Sequence, residues 1–152
     1  MAKGSSRFGK YKERKVREAL RNPINVLKSL SEKSQEKSYK YQRLYRNLYN
    51  PEFYLLAYQN IYANKGSMTP GADGMTIDGI SMARINRIIE SMRNQSYQPK
   101  PARREYIKKK TGNKKRPLGI SSADDKLVQE VVRMILESIY EGSFSAKSHG
   151  FR

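Results

Sequence analysis

The chain contains no cysteine, which excludes disulfide bridges and thiolate metal sites. Its single histidine, His149, cannot build a metal cluster by itself. Acids are scarce too: 14 Asp and Glu face 31 Lys and Arg among 152 residues, for a formal charge of +17. Apolar residues make up 37%, below the usual globular range, so the core must be small or concentrated in a few helices. No apolar run approaches a membrane span, and residues 1–15 lack the apolar segment of a signal peptide. These absences leave a soluble intracellular binder of a polyanion, with nucleic acid ahead of membrane. The length suits one compact domain, or part of a larger one plus a tail.

Positive charge is densest in residues 99–121, PKPARREYIKKKTGNKKRPLGIS. Lys100, Arg103, Arg104, Lys108, Lys109, Lys110, Lys114, Lys115 and Arg116 stand there against Glu105 alone. Thr111-Gly112-Asn113 is a turn signal between two strand-forming arms, so the stretch reads as a β-hairpin. Pro117 cannot donate to a ladder and marks an edge strand or a bulge. Alternation places Arg104, Tyr106 and Lys108 on one face, and Arg103, Glu105, Ile107 and Lys109 on the other. Two readings stand: a solvated, solubilising hairpin, or one that grips phosphates. The density of like charge favours the second.

Residues 1–21 form a basic arm with Lys10, Lys12, Arg14, Lys15 and Arg17, suited to lying on phosphates or to serving as a solubilising tail. Asn22-Pro23 is a helix start, and the apolar residues after it predict a helix over 23–37. Tyr41, Leu44, Tyr45 and Leu48 recur at i, i+3, i+4 and i+7, which predicts an amphipathic helix over 40–49. Asn50-Pro51 repeats the start signal for a helix over 51–64, whose Tyr54, Tyr58 and Tyr62 read as core with wet hydroxyls rather than as base-stacking groups. Residues 64–79, NKGSMTPGADGMTIDG, form a glycine-rich loop. With Lys65 it is a weak candidate for phosphate contact, and Asp73 reads as a turn former rather than a metal ligand. Helices follow over 81–94 and 122–141. Asp124 and Asp125 sit in the first turn of the second, where the dipole favours carboxylates without any metal. Residues 143–152 show no periodicity and stop as if cut.

Residues 50–78 (NPEFYLLAYQNIYANKGSMTPGADGMTID), 103–120 (RREYIKKKTGNKKRPLGI), 125–141 (DKLVQEVVRMILESIYE) and 148–152 (SHGFR) together resemble the amino-terminal part of a group II intron-encoded reverse transcriptase/maturase. The resemblance implies an α+β fold: a basic flexible arm (1–22), a helical amino-terminal extension (23–64), the fingers of a right-hand polymerase (65–141) and a truncated start of the palm (142–152). Arg103, Lys109 and Arg116 resemble residues that hold the triphosphate of the incoming nucleotide, and Ile120 one that packs beneath the templating base. Residues 65–76 resemble a loop over template or primer. Lys65, Arg104, Lys108, Lys110, Lys114 and Lys115, with the arm, are the expected RNA contacts. Lys108 and Ser121 stand where the family commonly has proline. Implied partners are intron RNA, an RNA template, a DNA primer and a deoxynucleoside triphosphate, in a cytoplasmic ribonucleoprotein active in splicing and intron mobility; a homodimer is a further expectation. The two Mg²⁺ ions of such a polymerase are held by palm carboxylates beyond SHGFR. The expectation is therefore a segment without catalytic or metal-binding residues that does not polymerise alone. The competing reading is a stand-alone RNA-binding or dimerisation module.

Overall fold

A computed structural model describes residues 22–64, 66–109, 114–145 and 147–148. The arm through Arg21, Lys65, Lys110, the turn 111–113 and most of SHGFR lie outside the described residues. The fold is α+β. Its helices are α1 (Pro23–Lys33), α2 (Pro51–Tyr62), α3 (Met82–Arg93) and α4 (Ala123–Tyr140), and strands β1 (Arg103–Lys108) and β2 (Lys115–Ile120) pair antiparallel. Short 3-10 turns span Leu44–Tyr49, Ile77–Gly79 and Glu141–Ser143. The chain divides into two compact units, one of residues 43–133 and one joining residues up to 42 with those from 134 onward.

In the first unit each helix begins on a side-chain cap that the sequence announces. Asn50 Oδ1 accepts from Glu52 N at 3.1 Å, and Pro51 follows at the first helical position. Ser81 Oγ accepts from Arg84 N at 3.3 Å to open α3. Ser122 Oγ accepts from Asp125 N at 3.2 Å while donating to the Asp125 carboxylate at 2.6 Å, a reciprocal cap on α4. The apolar faces then close a small core in which Phe53, Tyr54, Ile77, Ile85, Leu127 and Val131 are at most 1% exposed. Truncating one such aromatic costs about 3–5 kcal/mol. The tyrosine series divides: Tyr54 is buried with its hydroxyl donating to Leu48 O, whereas Tyr62 is exposed and stacks on Tyr58 at 5.5 Å.

The helix expected over 40–49 is replaced by the 3-10 turn Leu44–Tyr49. Arg43 takes a left-handed conformation (φ 57°) that interrupts any α-helix entering from residue 40. At the other end Asn50 is extended because Pro51 follows it. The short stretch between these stops takes the tighter 3-10 turn, and the Tyr45 hydroxyl within it donates to Met92 O at 3.0 Å.

In the second unit Asn22 Oδ1 caps α1 through Ile24 N at 2.9 Å. The helix ends at Lys33 rather than near 37, since residues 31–38 offer no apolar face to extend it. The Tyr41 hydroxyl donates to Leu30 O at 3.1 Å, folding the following segment back on α1. Met134, Ile135 and Ile139 of α4 are buried. A Cβ at Gly142 would lie 3.4 Å from Gln35 Nε2, so the turn closing α4 passes beside the end of α1.

Candidate nucleic-acid interface

The hairpin register pairs Arg103 with Ile120, Glu105 with Leu118, Tyr106 with Pro117, Ile107 with Arg116 and Lys108 with Lys115. Lys109 N donates to Lys114 O at 3.1 Å, carrying the ladder one step further. Directly paired residues share a face. One face therefore holds Arg103, Glu105, Ile107, Arg116, Leu118 and Ile120, with Lys109 continuing it; the other holds Arg104, Tyr106, Lys108, Lys115, Pro117 and Gly119.

The four residues expected at a nucleotide thus fall on the first face, in different states. Arg116 and Lys109 are exposed. Arg103 is half-buried; its Nε donates to Pro70 O at 3.1 Å and its Nη2 lies 3.6 Å from the Glu105 carboxylate. Ile120 is 8% exposed and belongs to the core, while Leu118 presents the open aliphatic surface of that face. Of the expected RNA contacts, Arg104, Lys108 and Lys115 lie on the second face, and Lys114 stands opposite Lys109 at the end of the ladder. Lys10, Lys12, Arg14, Lys15, Arg17, Lys65 and Lys110 fall outside the described residues.

The glycine-rich loop is fastened to the base of the hairpin and to the start of α4. A Cβ on Gly71 would stand 2.7 Å from Ser122 Cα and 3.0 Å from Ser121 O, so only glycine lets the loop lie flat on that backbone. Lys126 Nζ donates to Thr69 O at 2.8 Å and Ser67 O at 3.4 Å, and burial pushes its pKa down. Lys100 Nζ donates to Asp73 Oδ2 at 2.9 Å. That hydrogen bond holds the Asp73 carboxyl below its ordinary range and raises Lys100 in turn.

Asp73 is indeed a turn former, its Oδ1 accepting from Met75 N at 3.1 Å. It also joins a charged quartet. Arg84 Nε lies 2.5 Å from Asp124 Oδ1, Arg84 Nη2 is 4.0 Å from Asp73, and Lys100 Nζ is 3.7 Å from Asp124. Arg84 Nη1 is buried without a partner among the described residues. A groove of about 620 Å³ opens beside it, lined by Arg84, Arg87, Lys100, Asp124, Ser81 and Tyr97 among others. Asp125 accepts from Lys100 N at 3.0 Å and from the Tyr97 hydroxyl, pinning the extended lead of the hairpin to α4. Burial, then this bond, raises the Tyr97 pKa. No group of three or more His, Asp or Glu forms among the described residues.

Sequence reasoning missed Arg84 and Lys126 as anchors. Each left a trace: Arg84 interrupts the polar expectation by lying beside Ile85 on the buried side of α3, and Lys126 sits in the first turn of α4, where the dipole disfavours a cation.

Over 134 residues the chain is 51% identical to the group II intron-encoded protein LtrA of Lactococcus lactis subsp. cremoris, covering 88% of the chain and 22% of that protein. The chain is related to group II intron-encoded proteins. No family model matches it. Two further relatives of the chain are the uncharacterized 91 kDa protein in the cob intron of Schizosaccharomyces pombe and the putative COX1/OXI3 intron 2 protein of Saccharomyces cerevisiae. The first is 43% identical over 137 residues, covering 87% of the chain and 17% of the relative. The second is 41% identical over 98 residues, covering 64% and 11%. The chain thus spans at most 22% of the length of these relatives. Among its described residues no helix is long and apolar enough to cross a membrane.

Proposed function

We propose that this segment is the RNA- and nucleotide-binding fingers portion of an RNA-directed DNA polymerase that acts in group II intron splicing and mobility. The observation that carries the reading is the common face of Lys109, Arg116 and Leu118, flanked by Arg103 and by the loop anchored on it. Arg116 forks the triphosphate oxygens of an incoming deoxynucleotide, Lys109 adds a mobile charge, and both offset charge as pyrophosphate leaves. Arg103 positions the loop beside the template or primer. Intron RNA and template engage the remaining cations, Arg104, Lys108, Lys114 and Lys115, in a cytoplasmic ribonucleoprotein. Magnesium supplies the polymerase's charge neutralisation from carboxylates outside this segment, so the segment alone binds and does not polymerise.

The test is a full-length chimera in which this segment replaces its counterpart in the lactococcal relative. Arg116→Ala should lower kcat/KM for every deoxynucleotide about ten- to a hundredfold, the worth of a charge-assisted bidentate contact. Arg116→Lys should recover only part of it, and RNA affinity should fall far less. Loss of RNA affinity with intact nucleotide kinetics would show the assignment to be wrong.

A further inference from the structure

We propose that the second face of the hairpin binds single-stranded RNA through a stacking contact, with Tyr106 as the platform for an unpaired base and Arg104, Lys108 and Lys115 on the flanking phosphates. This rests on the reading of the chain as an RNA-binding segment and adds a mode of recognition to it. Tyr106 is 58% exposed, at the centre of the strand rather than at its end. Across the ladder it meets Pro117, and Gly119 follows on the same face, so its directly paired neighbour is small and one diagonal neighbour has no side chain. Its own-strand neighbours on that face, Arg104 and Lys108, lie about 7 Å away on either side. Aromatic rings between cations are the usual construction for single strands, because every base has a π-face and every linkage a phosphate.

Electrostatics select the occupant. The face carries no acid, and among the described residues Arg104, Lys108 and Lys115 make no ion pair. Lys108 and Lys115 stand directly opposite, an arrangement that destabilises the free hairpin and that a bridging phosphate relieves. A protein partner would have to bring carboxylates to all three cations while packing on the ring, whereas a single strand carries a phosphate at every linkage. A duplex keeps its bases stacked internally and cannot present one to Tyr106.

The experiment measures affinity of this chain for a short unstructured oligoribonucleotide, the matching RNA duplex and an abasic ribose-phosphate strand, each across a salt series. Tyr106→Ala should weaken single-strand binding about ten- to a hundredfold and leave the slope of log affinity against log salt unchanged. Tyr106→Phe should bind like the parent. Lys115→Ala should instead reduce the slope by about 0.7. Duplex and abasic strands should not register the Tyr106 change. Unaltered single-strand affinity in Tyr106→Ala, or an equal loss on all three ligands, overturns the stacking assignment while the electrostatic RNA reading stands. If the parent chain binds none of the three, the RNA reading itself fails. A DNA strand bound more tightly than RNA overturns the choice of occupant.

Discussion

Gly71 has the least room of any described glycine. The missing Cβ faces backbone rather than the end of a mobile side chain, so Gly71→Ala forces the loop off Ser122. Destabilisation of about 1–3 kcal/mol is expected, the range for inserting a methyl into a packed contact, read as a lower urea midpoint at unchanged slope. Gly74 is the control. It has nothing within 4 Å and a φ of +69°, so Gly74→Ala should cost only the left-handed backbone term, about 1–2 kcal/mol. The composition Pro70-Gly71 and Asp73-Gly74 marks both as turn glycines without separating them. What distinguishes Gly71 is a neighbour far along the chain, and local turn chemistry carries no trace of it.

At the scale of elements, the quartet of Asp73, Arg84, Lys100 and Asp124 joins loop, α3, hairpin lead and α4. Arg84 and Asp124 side chains are only 10% and 18% exposed. Asp124→Asn leaves Arg84 with its nearest counter-charge gone and should destabilise by about 3 kcal/mol, as in broken buried pairs. Arg84→Met should cost less, because Lys100 still serves both aspartates and the apolar replacement needs no partner. Urea unfolding of the two variants gives the comparison; a larger loss for Arg84→Met would mean that its packing outweighs its charge. The elements themselves were largely legible. Caps such as Asn50-Pro51 and Ser122 act over three or four residues, and the stripe Leu127 to Ile139 has a helical period, so α2, α4 and the hairpin fall within a few residues of expectation. The segment 40–49 was not: its inward residues have the helical spacing, but a left-handed Arg43 and tertiary bonds from Tyr45 and Tyr54 set the backbone. The hairpin faces followed from alternation, whereas burial of Ile120 and the tether on Arg103 depend on partners that spacing does not reveal.

For the whole molecule, these environments set a pH window. Tyr54 and Tyr97 have pKa values raised above the ordinary 10.0, chiefly by burial. Their contribution is complete below pH 10.0 and is lost as pH rises toward the folded values. Lys100, also raised, adds to that loss, and Lys126, lowered by burial, opposes it. Asp73 and Glu130 are lowered, by hydrogen bonds from Lys100 and Arg133 respectively. Their contribution is present above the ordinary 3.8 and 4.5 and disappears as pH falls through the folded values. Thermal midpoints should therefore plateau between these limits, and Tyr97→Phe should flatten the alkaline limb while sparing the acid one. An alkaline limb identical in Tyr97→Phe would place the titration elsewhere.

The fastening of the glycine-rich loop has a consequence for the order of folding. Its bonds reach across 27 residues from Lys100 to Asp73, 33 from Arg103 to Pro70 and 57 from Lys126 to Thr69, while most of its length has no ladder or helix of its own. Contacts so distant along the chain form only after the intervening elements have docked. The loop is thus expected to form late in its unit and to open early, and the base of the hairpin is complete only when α4 is in place.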